Sequence, residues 1–223
     1  MSRPPAPRPA LSTRRVIDAA SRVADASGLG GVSMRSVGRE LDVEAMSLYH
    51  HVASKGALLD GLADWVFERI DTPSSSGPWR SEMERRAHSA RTVLGAHPWG
   101  LGLIESRRSP GPATLHHHDA VIGCLRASGF TVALAAHAFS VLDAYTYGFV
   151  LTEVNLPFAP GESADDFVAG LGPLADAHPH LAEMVAEQVV GRAYAYGDEF
   201  EYGLTLVLDG LERRVAAELT GRS

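Results

Sequence analysis

Between Ala45 and Lys55 the chain sets out Ser47, Tyr49, His50, His51 and Lys55, with Arg35 a short way upstream. Hydroxyl, phenol, imidazole, ammonium and guanidinium groups are hydrogen-bond donors of the kind that reads and holds DNA. An isolated Tyr-His-His run on a helix is usually only solvated surface. Other groups can be assembled into chemistry on paper: Asp143, Glu153, His137 or Cys124 as an acid–base or nucleophilic site, and His116 with Asp119, spaced i, i+3 on one helical face, as a Zn or Ni clamp. The first set has no phosphate-cradling glycine loop, nucleophile elbow or zinc cysteine pair to fix it. In the second, three adjacent histidines point in different directions, so structural or surface roles are favoured. The expectation is therefore no catalytic residue, no metal site and no cofactor.

The elements around Tyr49 decide between surface and reader. Met34, Val37 and Leu41 recur at i, i+3 and i+7, which puts one apolar stripe on a short helix that Ser33 can cap. A turn at Asp42-Val43 follows; aspartate tolerates the left-handed backbone such a turn needs. Leu48 and Val52 then face inward on a second helix, leaving Ala45, Met46, Ser47, Tyr49, His50 and His51 to project. This is a helix-turn-helix, whose second helix enters the major groove. Ser54 can cap a longer helix with Leu58, Leu59, Leu62, Val66 and Ile70 inside. Upstream, Ser12 or Thr13 can start a helix with the stripe Val16, Ile17, Ala20, Val23 and Ala24, closed by Gly28.

With these residues in place the chain resembles the TetR family of bacterial transcriptional repressors. The resemblance rests on Gly28, Val32-Ser33-Met34-Arg35, Leu41-Asp42-Val43, Ser47-Leu48-Tyr49-His50-His51-Val52, and Ser54-Lys55 with Leu58-Leu59. Further on, His97-Pro98-Trp99, Gly129-Phe130, Tyr147 to Leu151 and the closing run from Phe200 to Glu212 are similar to the tetracycline-repressor branch. The resemblance implies that Arg35 contacts phosphate or base from the first motif helix, that Ala45, Met46, Ser47, Tyr49 and His50 face the groove, and that His51 and Lys55 hold phosphates. Better-known members carry bidentate amides where this helix has Ala45 and Met46, which suit thymine methyl groups instead.

The C-terminal two-thirds shows helical periods separated by Pro and Gly and no run of alternating strand pattern, so the chain reads as all-α, and the resemblance implies a three-helix DNA-binding domain with a larger helical bundle for ligand binding and dimerisation. The expected layout is a Pro/Arg leader over 1–11, the DNA-binding domain over 12–70, a linker over 71–79 and a regulatory domain over 80–223. Helices are expected at 79–95, 99–105, 112–128, 131–153, 164–176, 178–193 and 198–219. A small-molecule effector is expected among Trp99, Leu103, Ile104, Leu115, Phe139, Leu142, Tyr145 and Phe149, with His116 or His137 as the polar handle. Ile104 stands where tetracycline repressors carry a magnesium-ligating histidine, so tetracycline itself fits poorly. Phe200, Leu204, Val207, Leu208 and Leu211 form an apolar stripe. Such a stripe is ordinarily core, but the family pairs the corresponding helices across a two-fold, so a homodimer on a palindromic operator is expected.

Charge agrees with that division. Up to residue 56 the chain holds eight Lys and Arg against five acids, whereas the remainder holds twelve against twenty-two. An acidic body cannot wrap a polyanion, so nucleic acid belongs at the basic end. Arg3, Arg8, Arg14 and Arg15 lie in or beside the leader, which is read as disordered and either tracking DNA or inert. The leader lacks an apolar signal region, and a lone cysteine suits a reducing cytoplasm. The most hydrophobic run, 132–151, contains His137 and Asp143 without basic flanks and is read as a buried helix rather than a membrane span. A helical enzyme and a helix-turn-helix adaptor that binds protein remain the competing classes.

Overall fold

The computed structural model describes residues 10–104, 106, 110–156, 177–191 and 194–220. All regular structure among them is helical. They fall into two compact units, one reaching to Phe139 and the other starting at Ser140.

In the first unit, α1 (Thr13–Gly31) starts where the Ser12 hydroxyl accepts the Arg15 N–H, and buries Val16, Ile17, Ala20 and Ala24. Val23 is only half-buried. Gly28, at φ 64° and ψ 177°, breaks its regular course. That backbone is open to glycine at little cost and is strained for other residues. The cap of α2 (Met34–Leu41) is a serine version of the capping box. Ser33 Oγ accepts the Ser36 N–H at 3.1 Å, Ser36 Oγ accepts the Ser33 N–H at 2.9 Å, and the same hydroxyl donates to the Gly31 carbonyl at 2.8 Å. Both orphan donors are satisfied without the usual glutamate. Asp42 then takes the left-handed conformation, φ 56° and ψ 47°. The regular part of α3 is one turn, Ala45–Leu48, continued by hydrogen bonds from the His51 and Val52 N–H groups to the Leu48 carbonyl. It is short because Ser54 must already be extended to cap α4 (Lys55–Phe67), where its hydroxyl accepts the Ala57 N–H.

Leu58, Leu62, Val66 and Ile70 are buried as the pattern predicts, while Leu59 is half-buried. Polar contacts fix the end of α4 against α1: Trp65 Nε1 donates to Asp18 at 2.9 Å, and the Arg69 guanidinium, 3.3 Å above the Trp65 ring, pairs with the same carboxylate at 3.8 Å. The Pro- and Ser-rich stretch after Ile70 bends the chain and is tied to α5 (Trp79–Ala96). Ser74 N–H donates to Glu82, and Arg85 pairs with Asp71 and Glu82. Next come α6 (Trp99–Ile104) and α7 (Pro112–Ala127), the latter with proline at its first position as expected.

The long helix α8 (Val132–Glu153) runs from the first unit into the second. There, α9 (Pro179–Gln188) ends sooner than its apolar pattern predicts, because the chain turns toward Gly191 at φ 67°. A 3-10 turn (Tyr196–Asp198) leads into α10 (Glu199–Thr220). Tyr145 stacks on Phe200, ring centres 5.6 Å apart, and donates to the Phe200 carbonyl at 2.8 Å. Phe149 stacks on Tyr196 at 4.7 Å. The helix expected at 164–176, residues 192–193 and most of the leader lie outside the described residues. No described helix is long and apolar enough to cross a membrane.

Candidate nucleic-acid interface and effector cavity

Leu48 and Val52 are buried, and they fix the rotation of α3 about its axis. What that rotation presents outward is Met46, 72% exposed, and Tyr49, 46% exposed, with His50 also exposed and Ala45, Ser47 and His51 half-buried. Arg35 on α2 and Lys55 at the start of α4 are exposed too. The cation set therefore flanks the projecting turn on the chain's basic segment. Thr13 Oγ1 donates to the His51 carbonyl at 3.1 Å, so the end of this turn is pinned to α1.

Gly38 has no place in the apolar and polar patterns that reveal the motif, yet it sets the crossing of α2 and α3. A Cβ there would stand 2.9 Å from the Val43 carbonyl oxygen and 3.3 Å from the Ala45 backbone. The one sequence signal for it is a glycine interrupting a short amphipathic helix, which usually marks close approach by another backbone.

The first unit also contains a cavity of about 170 Å³ lined by Ala63, Phe67, Leu103, Ile104, Pro110, Gly111, Thr114 and His118. Leu103 and Ile104, expected at the effector site, are among the residues that line it. Trp99 instead donates through Nε1 to Asp25 on α1 at 2.6 Å, beside the His97 ring, whose Nδ1 is 2.7 Å from the same oxygen. Leu115, His116 and His137 are exposed, so neither histidine is the polar handle of this cavity. The reason is helical phase: Thr114, His117, Val121 and Cys124 form the buried stripe of α7, and residues 115 and 116 rotate away from it. Phe139 packs edge-on against His118, ring centres 5.1 Å apart, while Leu142, Tyr145 and Phe149 belong to the second unit. Asp64 on α4 and Arg86 on α5 were missed, since nothing local marks a polar residue whose partner lies on another helix. Asp64 accepts from the Thr114 N–H at 3.0 Å and its hydroxyl at 2.7 Å.

His116 and Asp119 are both exposed on α7, and no group of three or more His, Cys, Asp and Glu among the described residues is placed to hold a metal ion. Burial pushes the Cys124 thiol up, which keeps it protonated rather than nucleophilic. The α10 stripe, expected at a dimer interface, faces inward instead: Phe200, Leu204, Leu208 and Leu211 are buried inside their own chain, and Val207 half so. Their i, i+4, i+8, i+11 spacing serves the subunit's core. The large apolar side chains left outside on that helix are Tyr202, 68% exposed, Leu206, 56% exposed, and Leu219 near its end.

His117 is 1% exposed and accepts a hydrogen bond from Arg86 Nε at 2.9 Å through Nε2. Burial, then the neighbouring guanidinium, lowers its pKa to about 3. Between that value and the ordinary one near 6.5 the unfolded chain binds a proton that the folded chain refuses, so stability falls as pH falls. The expected loss near pH 5 is ~2 kcal/mol relative to neutral pH. Urea titrations of the wild type and His117→Gln at both pH values check this, and the variant should show a loss smaller by about that amount.

Two family models match the chain: bacterial regulatory proteins of the tetR family over residues 16–62, and the tetracyclin repressor-like C-terminal domain over 72–215. The chain belongs to the TetR family of transcriptional regulators. This TetR-family regulator is 33% identical over 221 residues to the HTH-type transcriptional repressor DrrR1 of Streptomyces coeruleorubidus, covering 94% of this chain and 80% of the relative. It is 29% identical over 208 residues to the class A tetracycline repressor from transposon 1721 of Escherichia coli, covering 92% of each. Among solved structures, apo ActR from Streptomyces coelicolor superposes with a TM-score of 0.77 at 25% identity, covering 95% of this chain and 100% of that one. ActR in complex with actinorhodin gives 0.75 at 26%, covering 93% and 99%. With its helix-turn-helix and helical body, the regulator is DNA-binding and ligand-responsive, and neither the enzyme nor the adaptor reading is favoured.

Proposed function

We propose that this regulator is a cytoplasmic repressor that binds a palindromic operator as a homodimer and releases it when a small organic molecule fills the cavity behind α4. The domain limits inferred above apply to it: a reader over 12–70 and a regulatory body from residue 80. The observation that carries the reading is the projecting Met46–Tyr49–His50 turn flanked by Arg35 and Lys55. Two heads on one palindrome require two subunits. The exposed apolar side chains of α10, Tyr202 and Leu206, and of α8, Val141 and Leu151, supply a face for the second copy. ActR, whose fold this chain shares, holds actinorhodin in one of its structures, which supports a small-molecule effector.

The cavity supports the release step by position. Its lining includes Ala63 and Phe67 on α4, the helix that begins at Lys55 beside the reader. A ligand that prefers one placement of α4 shifts operator affinity by its differential binding to the two placements.

The test is a mobility-shift titration on DNA upstream of the protein's own and neighbouring genes, at several salt concentrations, with light scattering for mass. Specific binding should fall steeply with salt, and Lys55→Ala should weaken all sites about five- to tenfold while lowering the salt slope by roughly one. Absence of specific binding by a folded protein, or a strictly monomeric mass, overturns the reading.

A further inference from the structure

Among the described residues up to Ile104, the large hydrophobic side chains left exposed are Val43, Met46 and Tyr49, all on the turn and helix of the reader. Apolar groups scattered singly over a surface need no explanation, but a cluster confined to one projecting tip does. The charges around the cluster aim it at base edges rather than at the sugar-phosphate backbone. Asp42 and Glu44 are exposed beside it and repel phosphate, while the cations that attract phosphate, Arg35 and Lys55, lie outside it on α2 and α4. From Ala45 to Val52 there is no Arg, Lys, Asn or Gln, the side chains that read guanine and adenine through paired hydrogen bonds. Specificity on α3 therefore falls to apolar contact, with Ser47, Tyr49 and His50 adding single hydrogen bonds. The major groove offers one apolar group on its base edges, the C5-methyl of thymine.

Resting on the repressor reading above, we propose that Met46 is a specificity-determining residue of the operator complex: it packs on the C5-methyl group of a thymine in each half-site, and Val43 and Tyr49 help to exclude water from the contact. The backbone presents Met46 from a fixed base, because Leu48 is buried on one side of it and the Val43 N–H bonds to the Gly38 carbonyl at 2.9 Å on the other. Its unbranched thioether, 72% exposed in the free protein, adapts to a methyl group without steric demand. Any other base at that position offers the thioether only polar atoms or none, so the methyl is what separates thymine from its rivals. Burying one methyl group is worth about fourfold in affinity, and a palindrome read by two subunits squares that to about fifteenfold. The contact involves no ion, so it leaves the salt dependence set by Lys55 and the other cations unchanged.

The test uses the full-length protein and DNA that it selects itself from duplexes carrying about 30 random base pairs, room for two half-sites. In the enriched duplex each thymine is replaced in turn by deoxyuridine, which removes the methyl and leaves every hydrogen-bonding group in place. For the wild type, one thymine position in each half-site should lose about fourfold in affinity on replacement, and replacing both should lose about fifteenfold. Met46→Ala should bind the thymine duplex about fifteenfold more weakly, lose less than about twofold further on deoxyuridine at those positions, and keep the wild-type salt slope and melting temperature. Met46→Leu, which restores an apolar side chain of similar size, should bring most of the methyl dependence back. An enriched duplex whose affinity ignores every thymine methyl, or an equal deoxyuridine loss in the wild type and Met46→Ala, overturns this proposal and leaves the repressor reading standing. A folded protein that enriches no sequence overturns both, and assigns the apolar tip to a partner other than DNA.

Discussion

Gly38→Val is expected to lower specific operator affinity at least about a hundredfold while the rest of the chain stays folded. The Cβ it adds meets only backbone: the Val43 carbonyl oxygen at 2.9 Å, and the Ala45 Cα and N at 3.3 Å. Backbone cannot step aside by changing rotamer, so the turn itself must move. That turn is already constrained by the Val43 N–H bond to the Gly38 carbonyl at 2.9 Å and by the left-handed Asp42. Overpacking of this kind costs about 1–3 kcal/mol, too little to unfold a chain of this size but enough to tilt a one-turn reader helix. A tilt displaces Met46, Ser47 and Tyr49 together, and every hydrogen bond to a base or phosphate that the displacement breaks multiplies the fall. Gly38→Ala should weaken binding about tenfold, its smaller side chain needing a smaller shift. Operator titration beside a thermal melt checks the pair. Near-normal binding by Gly38→Val would mean that the α2–α3 crossing gives way without moving the reader.

How far the sequence could be read depended on whether the deciding interaction was local. Ser33 and Ser54 were legible as caps, and Ser12 as one of two candidates beside Thr13, because an N-cap bonds within its own first turn, and all three serines do so. Asp42 was legible because only a few residue types tolerate that backbone. The core stripe of α10 was legible as apolar but not as inward- or partner-facing, since periodicity gives a face without saying what covers it. Phe200, Leu204, Leu208 and Leu211 face inward. The polar handle of the cavity was misplaced by helical phase on α7: Thr114 and His117 are buried and His118 lines the cavity, whereas His116 rotates outward. Arg86 was invisible for a different reason. A buried arginine looks like any surface arginine until its partner on another helix is known, and that partner, His117, is 31 residues away.

Asp64 is the same kind of residue, and replacing it is expected to have the largest effect on coupling between ligand and DNA. The first turn of α7 has no side-chain cap of its own, since Gly111 precedes it and Pro112 opens it. Its free N–H groups need an acceptor. Asp64 reaches across from α4 to supply one, accepting from the Ala113 N–H at 3.3 Å, the Thr114 N–H at 3.0 Å and the Thr114 hydroxyl at 2.7 Å. A carboxylate at a helix N-terminus also gains from the helix dipole. Asp64 thereby joins the helix that follows the DNA reader to the helix that walls the cavity. Glycine is needed at 111 for this, because a Cβ there would overlap the Asp64 carboxylate. Asp64→Leu should cost ~2–3 kcal/mol, a fall in melting temperature of roughly 5–10 °C. Gly111→Ala should reproduce much of that loss by evicting the same carboxylate. The double variant should fall well short of the sum of the two, as expected for residues acting through one contact. In either single variant the effector concentration needed to release operator should rise at least about tenfold while operator affinity without effector changes little. Full additivity in the double variant, or unchanged release in Asp64→Leu, would show that α7 is capped without α4 and that the ligand signal reaches the reader by another route.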